Sequence, residues 1–175
     1  MKIGTTVLII GSMLCGTSTF AQMGGSNGAV LSPPAVAAGT INGVKVAITY
    51  SVPSVKGRKI YGGLEKFGSV WRAGANDATT MSFDKNVAID GKSLAKGKYA
   101  FFILLNNESK WTLIFNKNAG QWGTEHDSNK AQDVLKVDVT AKTIAHLEKL
   151  KYTITAEGIT FAWDTKEIHF KVSPK

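Results

Sequence analysis

Cysteine is almost missing from this 175-residue chain: Cys15 stands alone, so no internal disulfide can form and no thiolate zinc site is available. No hydrophobic run reaches the ~20 residues that a membrane-spanning helix needs. The chain also lacks a Gly-x-Ser-x-Gly elbow, a phosphate-binding loop and a dinucleotide fingerprint, which removes the most recognisable hydrolase and nucleotide-binding readings. There is no fixed-period repeat, and no basic helix or aromatic-interleaved basic stripe of the kind a nucleic-acid binder carries. What remains is 43% apolar and 19% charged, the composition of one ordinary globular domain rather than a disordered or fibrous chain. The 21 Lys and Arg exceed the 13 Asp and Glu for a formal charge of +8, but the lysines are scattered over many loops. Dispersed lysine serves solubility and protects sheet edges, so it names no partner.

The first 21 residues read as a signal peptide. Lys2 gives a positive start, Val7 to Leu14 form a short apolar core, and Thr19-Phe20-Ala21 ends on the small residue that a signal peptidase accepts. Cleavage is expected between Ala21 and Gln22, with export to the periplasm or beyond. Lipid attachment at Cys15 is disfavoured because Leu14 precedes it where Gly, Ala or Ser is required. The mature chain would then be 154 residues, free of cysteine, at a net +7. Near 150 residues a domain buries roughly two-thirds of its unfolded surface, enough for stability from packing alone.

Residues 22–38, with Gly24-Gly25-Ser26-Asn27-Gly28 and Pro33-Pro34, read as a flexible leader, and residues 39–175 as a single domain. From Thr40 the apolar residues alternate with period two: Val46, Ile48, Tyr50; Met81, Phe83; Leu135, Val137, Val139; Tyr152, Ile154; Ile159, Phe161, Trp163; Ile168, Phe170, Val172. Tyr99 to Leu105 is denser, as a strand buried on both faces would be. Asp90-Gly91, Glu157-Gly158, Asn106 to Ser109 and Asp164 to Glu167 read as turns, and Thr140 to Lys149 as the one stretch suited to a helical turn or two. The expected architecture is an all-β antiparallel β-sandwich or jelly-roll-like barrel of about nine or ten strands with little helix. Ser93-Leu94-Ala95-Lys96 matches a penicillin-binding Ser-x-x-Lys pattern without its partner motifs and reads as a loop; Asn107-Glu108-Ser109 matches a glycosylation sequon and reads as a hairpin turn.

Two segments are unlike strands: Gly62 to Thr80, with four glycines before Asn76-Asp77, and Asn116 to Asp127. The pieces Pro53-Ser54-Val55-Lys56-Gly57-Arg58, Gly62-Gly63-Leu64, Val70-Trp71-Arg72-Ala73-Gly74-Ala75-Asn76-Asp77-Ala78-Thr79-Thr80, Gly97-Lys98-Tyr99, Trp111 to Lys117 and Gln121-Trp122-Gly123 together resemble a family of exported bacterial proteins catalogued as a domain of unknown function numbered 2911 (DUF2911). The resemblance runs over roughly residues 32–172, with Ala73 where threonine and Asp77 where glutamate is usual. It implies a secreted all-β domain and no activity.

Arg72 beside Trp71 suits a carboxylate or phosphate clamp, because a guanidinium offers paired donors and an indole a stacking face. Alternatively, Arg72 pairs with Asp77 or Glu65 to pin the loop while Trp71 fills core. Glu125-His126-Asp127 could supply an acid or base, though adjacent residues on an extended chain point apart. A zinc site would need His146 or His169 as well, and no metal or other cofactor is expected. Trp111 and Trp163 sit on strand patterns and read as core; Trp71 and Trp122 suit a shallow polar-aromatic groove. The candidate ligand-binding set is therefore Trp71, Arg72, Asn76, Asp77, Gln121, Trp122, Glu125, His126 and Asp127. The leading reading is a non-catalytic exported module that binds a small ligand, glycan or envelope partner. The alternatives are an envelope hydrolase using Glu125, His126 or Asp127 with Arg72, or a purely structural self-associating domain.

Overall fold

A computed structural model describes residues 32–175; the expected signal peptide and residues 22–31 of the leader lie outside the described residues. Eleven strands form two antiparallel sheets, not closed into a barrel, so the sandwich alternative holds and the barrel alternative does not. The strands are β1 (Pro34–Ile41), β2 (Val44–Ser51), β3 (Val70–Trp71), β4 (Thr79–Phe83), β5 (Val87–Ile89), β6 (Lys92–Leu94), β7 (Gly97–Leu105), β8 (Lys110–Asn116), β9 (Asp133–Thr140), β10 (Lys142–Ile154) and β11 (Gly158–Pro174). The larger sheet runs β1-β2-β4-β7-β8-β9, with β3 also paired to β7; the smaller runs β10-β11-β5-β6.

The inward residues follow the alternation in the sequence. Val46 and Ile48, Met81 and Phe83, Phe101 and Ile103, and Trp111, Leu113 and Phe115 face Phe161, Trp163, Ile168, Phe170 and Val172 in one buried cluster. As its composition implies, β7 is buried on both faces. Its outward Ala100 and Phe102 join Ala78 and Ile114 in a second cluster outside the sandwich. That cluster is covered by the loop after β8, whose His126 ring lies 4.9 Å from Phe102.

The structure corrects several local expectations. Pro34 to Ala38, assigned above to the leader, belong to β1, which Asn42-Gly43 turns back onto β2 with φ of 48° and 80°. Two consecutive positive φ angles suit the right-handed twist of a hairpin, and Asn-Gly is the pair that adopts them most readily. Asp90-Gly91 makes the same turn between β5 and β6, at 44° and 82°. Ser93 and Leu94 then lie in β6 rather than in a loop.

Thr140 to Lys149 holds no helix: Lys142 onward is β10. Ile144, Leu147 and Leu150 are spaced by three, which looks helical, yet the β10–β11 register shifts on both sides of Leu147. On each side of Leu147 four residues of β10 run against two of β11, and such extra residues break the strict two-residue alternation, so a spacing of three can serve one side of a strand. Likewise Asp164 to Glu167 is no turn but the middle of β11, where Asp164 has φ 52°. The inward positions switch there from Ile159, Phe161 and Trp163 to Ile168, Phe170 and Val172, and the irregularity at Asp164 keeps both halves facing the core. The only helix among the described residues is α1 (His126–Asn129), followed by a single 3-10 turn. Accordingly no described helix is long and apolar enough to cross a membrane.

Candidate functional site

The two glycine-rich loops meet. Asp77 and Trp122 form an isolated antiparallel bridge, and the Ala78 N–H donates to the Gln121 carbonyl at 3.4 Å. Gly123 lies against Arg72 so closely that a Cβ there would overlap Arg72 Cδ and come within 2.5 Å of the Asn76 carbonyl oxygen. The loop from Trp71 to Thr79 is folded tightly on itself. Trp71 Nε1 donates to the Gly74 carbonyl at 3.1 Å, and the Ala73 carbonyl accepts from Thr79 Oγ1 at 3.0 Å and from Tyr152 OH at 2.8 Å. Those bonds hold Ala73 at φ 51° and the next turn holds Asn76 at 61°, a region that costs a residue with a Cβ of order 1 kcal/mol.

Trp71 is not a ligand-stacking face. It is 2% exposed, in β3, stacked on Trp163 at a centroid distance of 5.5 Å and edge-on to Phe161. Trp122 is its opposite, 49% exposed at the surface.

Arg72 does not pin its loop by pairing with Asp77 or Glu65. Among the described residues it makes no ion pair within 4.0 Å, and its buried Nε has no hydrogen-bond partner. It lines a cleft of about 430 Å³ together with Ser54, Lys56, Arg58, Glu65, Asn76 and Trp163. Trp163 is 1% exposed and its Nε1 is likewise without an acceptor. Arg58 is fixed by the Val55 carbonyl at 3.0 Å and the Ser54 carbonyl at 2.6 Å, neutral acceptors, and makes no ion pair within 4.0 Å among the described residues. This wall is tied to β10: the Val55 N–H donates to the Glu148 carbonyl at 2.8 Å, and the Lys56 N–H to Glu148 Oε1 at 3.0 Å. That backbone bond, opposed by desolvation and reinforced by His146 and Arg58, holds the Glu148 carboxyl below its ordinary value.

Among the described residues Glu65 is the only acid lining the cleft. Burial pushes its carboxyl up to about 7, against the opposing pull of Arg72 and Arg58. A carboxyl that titrates near neutrality in a cleft marks a candidate functional group with a physical cause.

The remaining predicted residues form a separate arrangement. Gln121, Glu125, His126 and Asp127 do not line the Arg72 cleft. Gln121 is buried, its Nε2 donating to Asn116 Oδ1 at 2.9 Å and to the Asn118 carbonyl at 2.8 Å. Asn116 Nδ2 donates on to Asp133 Oδ1 at 2.8 Å, and His126 Nε2 lies 3.1 Å from the same oxygen. Glu125 Oε2 accepts the Trp122 N–H at 3.2 Å, and the Asp127 side chain is 95% exposed. Burial raises the Asp133 carboxyl, but hydrogen bonds from Asn116, Lys136 and His126 outweigh it and hold Asp133 below the ordinary value. This is a fastener for the loop over Phe102, not an acid–base set aimed at Arg72. A group depressed in the fold stabilises above its unfolded pKa and loses that contribution as pH falls through the folded value. Asp133→Asn is therefore expected to cost about 2 kcal/mol at neutral pH. The gap to the parent protein should narrow below pH 3.8, the ordinary aspartate value, in acid melts followed by circular dichroism.

The other histidines stay apart. His146 Nδ1 is 3.1 Å from Asp164 Oδ1, and His169 Nδ1 is 3.0 Å from Thr160 Oγ1. Among the described residues no group of three His, Cys, Asp or Glu side chains is placed to hold a metal ion.

Sequence reasoning thus found Arg72 and Asn76 but missed Lys56, Arg58 and Glu65 as cleft residues. The signal for Lys56 and Arg58 is the non-alternating stretch from Pro53 to Arg58, whereas Glu65 lies in the irregular Gly62–Thr80 segment and stands there only as a possible partner of Arg72. No curated protein and no solved structure matches the chain. A family model described as a protein of unknown function, DUF2911, matches residues 32–172, so the cleft and both loops fall within the matched region and the chain belongs to the DUF2911 family.

Proposed function

We propose that this is an exported binding module whose cleft beside Arg72 takes a small ligand bearing a carboxylate or phosphate. The observation that carries this reading is Arg72 itself, a guanidinium in a cleft with no protein anion within ion-pair distance. Lys56 and Arg58 line the same cleft and Glu65 is the only acid there, so the local charge favours an anion. Trp163 lines the same cleft, and its buried Nε1 has no acceptor among the described residues. A planar fork of N–H groups suits the paired oxygens of a carboxylate or phosphate. Export rests on the segment from Lys2 to Ala21, and immunoblotting of periplasmic and culture fractions for a product beginning at Gln22 checks it.

Binding is tested by titration calorimetry with sulfate and tartrate. The expected result is saturable binding that Arg72→Ala weakens roughly 10- to 100-fold, the worth of a charge-assisted hydrogen bond. Equal affinity in the parent protein and Arg72→Ala would remove the cleft as the site.

A further inference from the structure

Glu65 is a contradiction within an anion cleft, and its surroundings resolve it. The carboxyl lines the same 430 Å³ space as Arg72, Arg58 and Lys56, yet no ion pair within 4.0 Å joins it to any of them. Its backbone is fixed, with the Glu65 N–H donating to the Ile60 carbonyl at 2.9 Å and the Gly62 N–H to the Glu65 carbonyl at 2.8 Å. The side chain is thus held at the cleft by a tight turn. An anion drawn to Arg72 would share a small, partly desolvated space with this carboxyl. Two negative oxyanions in such a space repel strongly, and the cheap solution is one proton between them.

The groups around Glu65 do not offer another solution. Lys56 and Arg58 come from the loop after β2, and Arg72 from the turn after β3. Tyr61, on Glu65's own loop, is pushed up by burial, with Asp164 of β11 and Glu65 adding to the effect. It stays neutral and donates its hydroxyl to the Trp163 carbonyl at 3.2 Å. The cations attract the ligand and Glu65 alike, and Glu65 is the one acid among the described residues that line the cleft, so the proton falls to Glu65.

Building on the anion-binding reading above, we propose that the cleft takes up its anion together with one proton, received by the Glu65 carboxyl. In the free protein burial pushes the Glu65 carboxyl up to about 7, so near neutral pH it is already about half protonated before the ligand arrives. Below that value the cleft carries three cations and no anion; above it, the ionised carboxyl cancels one positive charge and repels the incoming one. Affinity therefore falls as pH rises through about 7. An exported module with this property holds its ligand in acidic surroundings and releases it in alkaline ones.

Calorimetry with sulfate and tartrate, both fully ionised across the range, tests this between pH 6 and pH 8 in buffers of different ionisation enthalpy. The expected result is net uptake of up to one proton per anion and an affinity about tenfold weaker at pH 8 than at pH 6. Glu65→Gln is expected to bind both probes with a pH-independent affinity and no proton uptake. The parent protein needs no variant for the first readout, so a misfolded substitution cannot mask the answer. Binding without proton uptake would overturn the proton-coupling proposal and leave the anion site standing. Persistent uptake in a folded Glu65→Gln would overturn the assignment to Glu65. Absence of binding by either anion at any pH would remove both this proposal and the reading it rests on.

Discussion

Trp163→Ala is expected to destabilise the protein by about 3–5 kcal/mol, the range for deleting a buried tryptophan. Trp163 is 1% exposed and stacks on Trp71 at 5.5 Å, with Tyr61 edge-on at 6.4 Å. The cavity cannot close easily, because Tyr61 is anchored through its hydroxyl to the backbone of residue 163 and Trp71 through its indole to Gly74. For a domain of this size the loss corresponds to a fall in Tm of roughly 10 °C or more in calorimetry. Trp163→Phe separates packing from chemistry. It keeps a ring in the cluster but removes Nε1, which has no acceptor among the described residues. A modest fall in Tm together with weaker anion binding would support a ligand-facing role for that N–H. A modest fall with unchanged binding would restrict Trp163 to packing.

Gly123→Ala is the second large expected effect, because this glycine is required by close approach rather than by backbone angle. A Cβ would overlap Arg72 Cδ, which a side chain could escape, and stand 2.5 Å from the Asn76 carbonyl oxygen, which it could not. Asn76 is held by the neighbouring Asp77–Trp122 bridge and by its own Nδ2, which donates to Ser51 Oγ at 3.3 Å. Relief must come from separating the two loops, at a cost of about 1–3 kcal/mol for overpacking. Since Arg72 is the atom group displaced, anion affinity should fall alongside stability. Denaturant melts and calorimetry on one preparation read both. A variant that melts lower but binds normally would show that Arg72 does not need Gly123 above it.

The alternation of apolar residues carried the fold class, and it worked because most strands here pack one face on a single core. It failed where the backbone changes the period. Ile144, Leu147 and Leu150 mimic a helix because bulges flank Leu147, and Trp163 and Ile168 straddle the irregularity at Asp164 that lets one 17-residue strand face the core twice. The hairpin at Asn42-Gly43 was legible by its turn chemistry. The strand before it is hidden in the sequence because its Pro-Pro and small residues resemble a linker, and β1 alternates half-buried with exposed positions until its buried last residue, Ile41.

The site divides in the same way. Arg72 and the union of its loop with Gln121 to Gly123 were foreseeable, since an arginine among glycines and asparagines away from any strand pattern is poorly explained by packing. For Trp71 the sequence leaves core filling and a groove face both open, because a two-residue strand has no periodicity, and the paired sheet decides for core filling by pointing its ring inward. His126 was read with its sequence neighbours Glu125 and Asp127, whereas its close partner is Asp133, seven residues on.

By itself, the sequence determined an all-β domain without disulfides, the turn chemistry of its hairpins and the two irregular loops, because all of these depend on local residue types and short periods. Tertiary structure alone decided which charges share a cleft. Lys56 and Arg58, Glu65, Arg72 and Trp163 come from separate stretches of chain, and their convergence follows the tie of the Val55–Lys56 wall to β10 and the close approach of Gly123 to Arg72. Burial and uncompensated charge arise from that convergence, and so does a glutamate that titrates near neutrality.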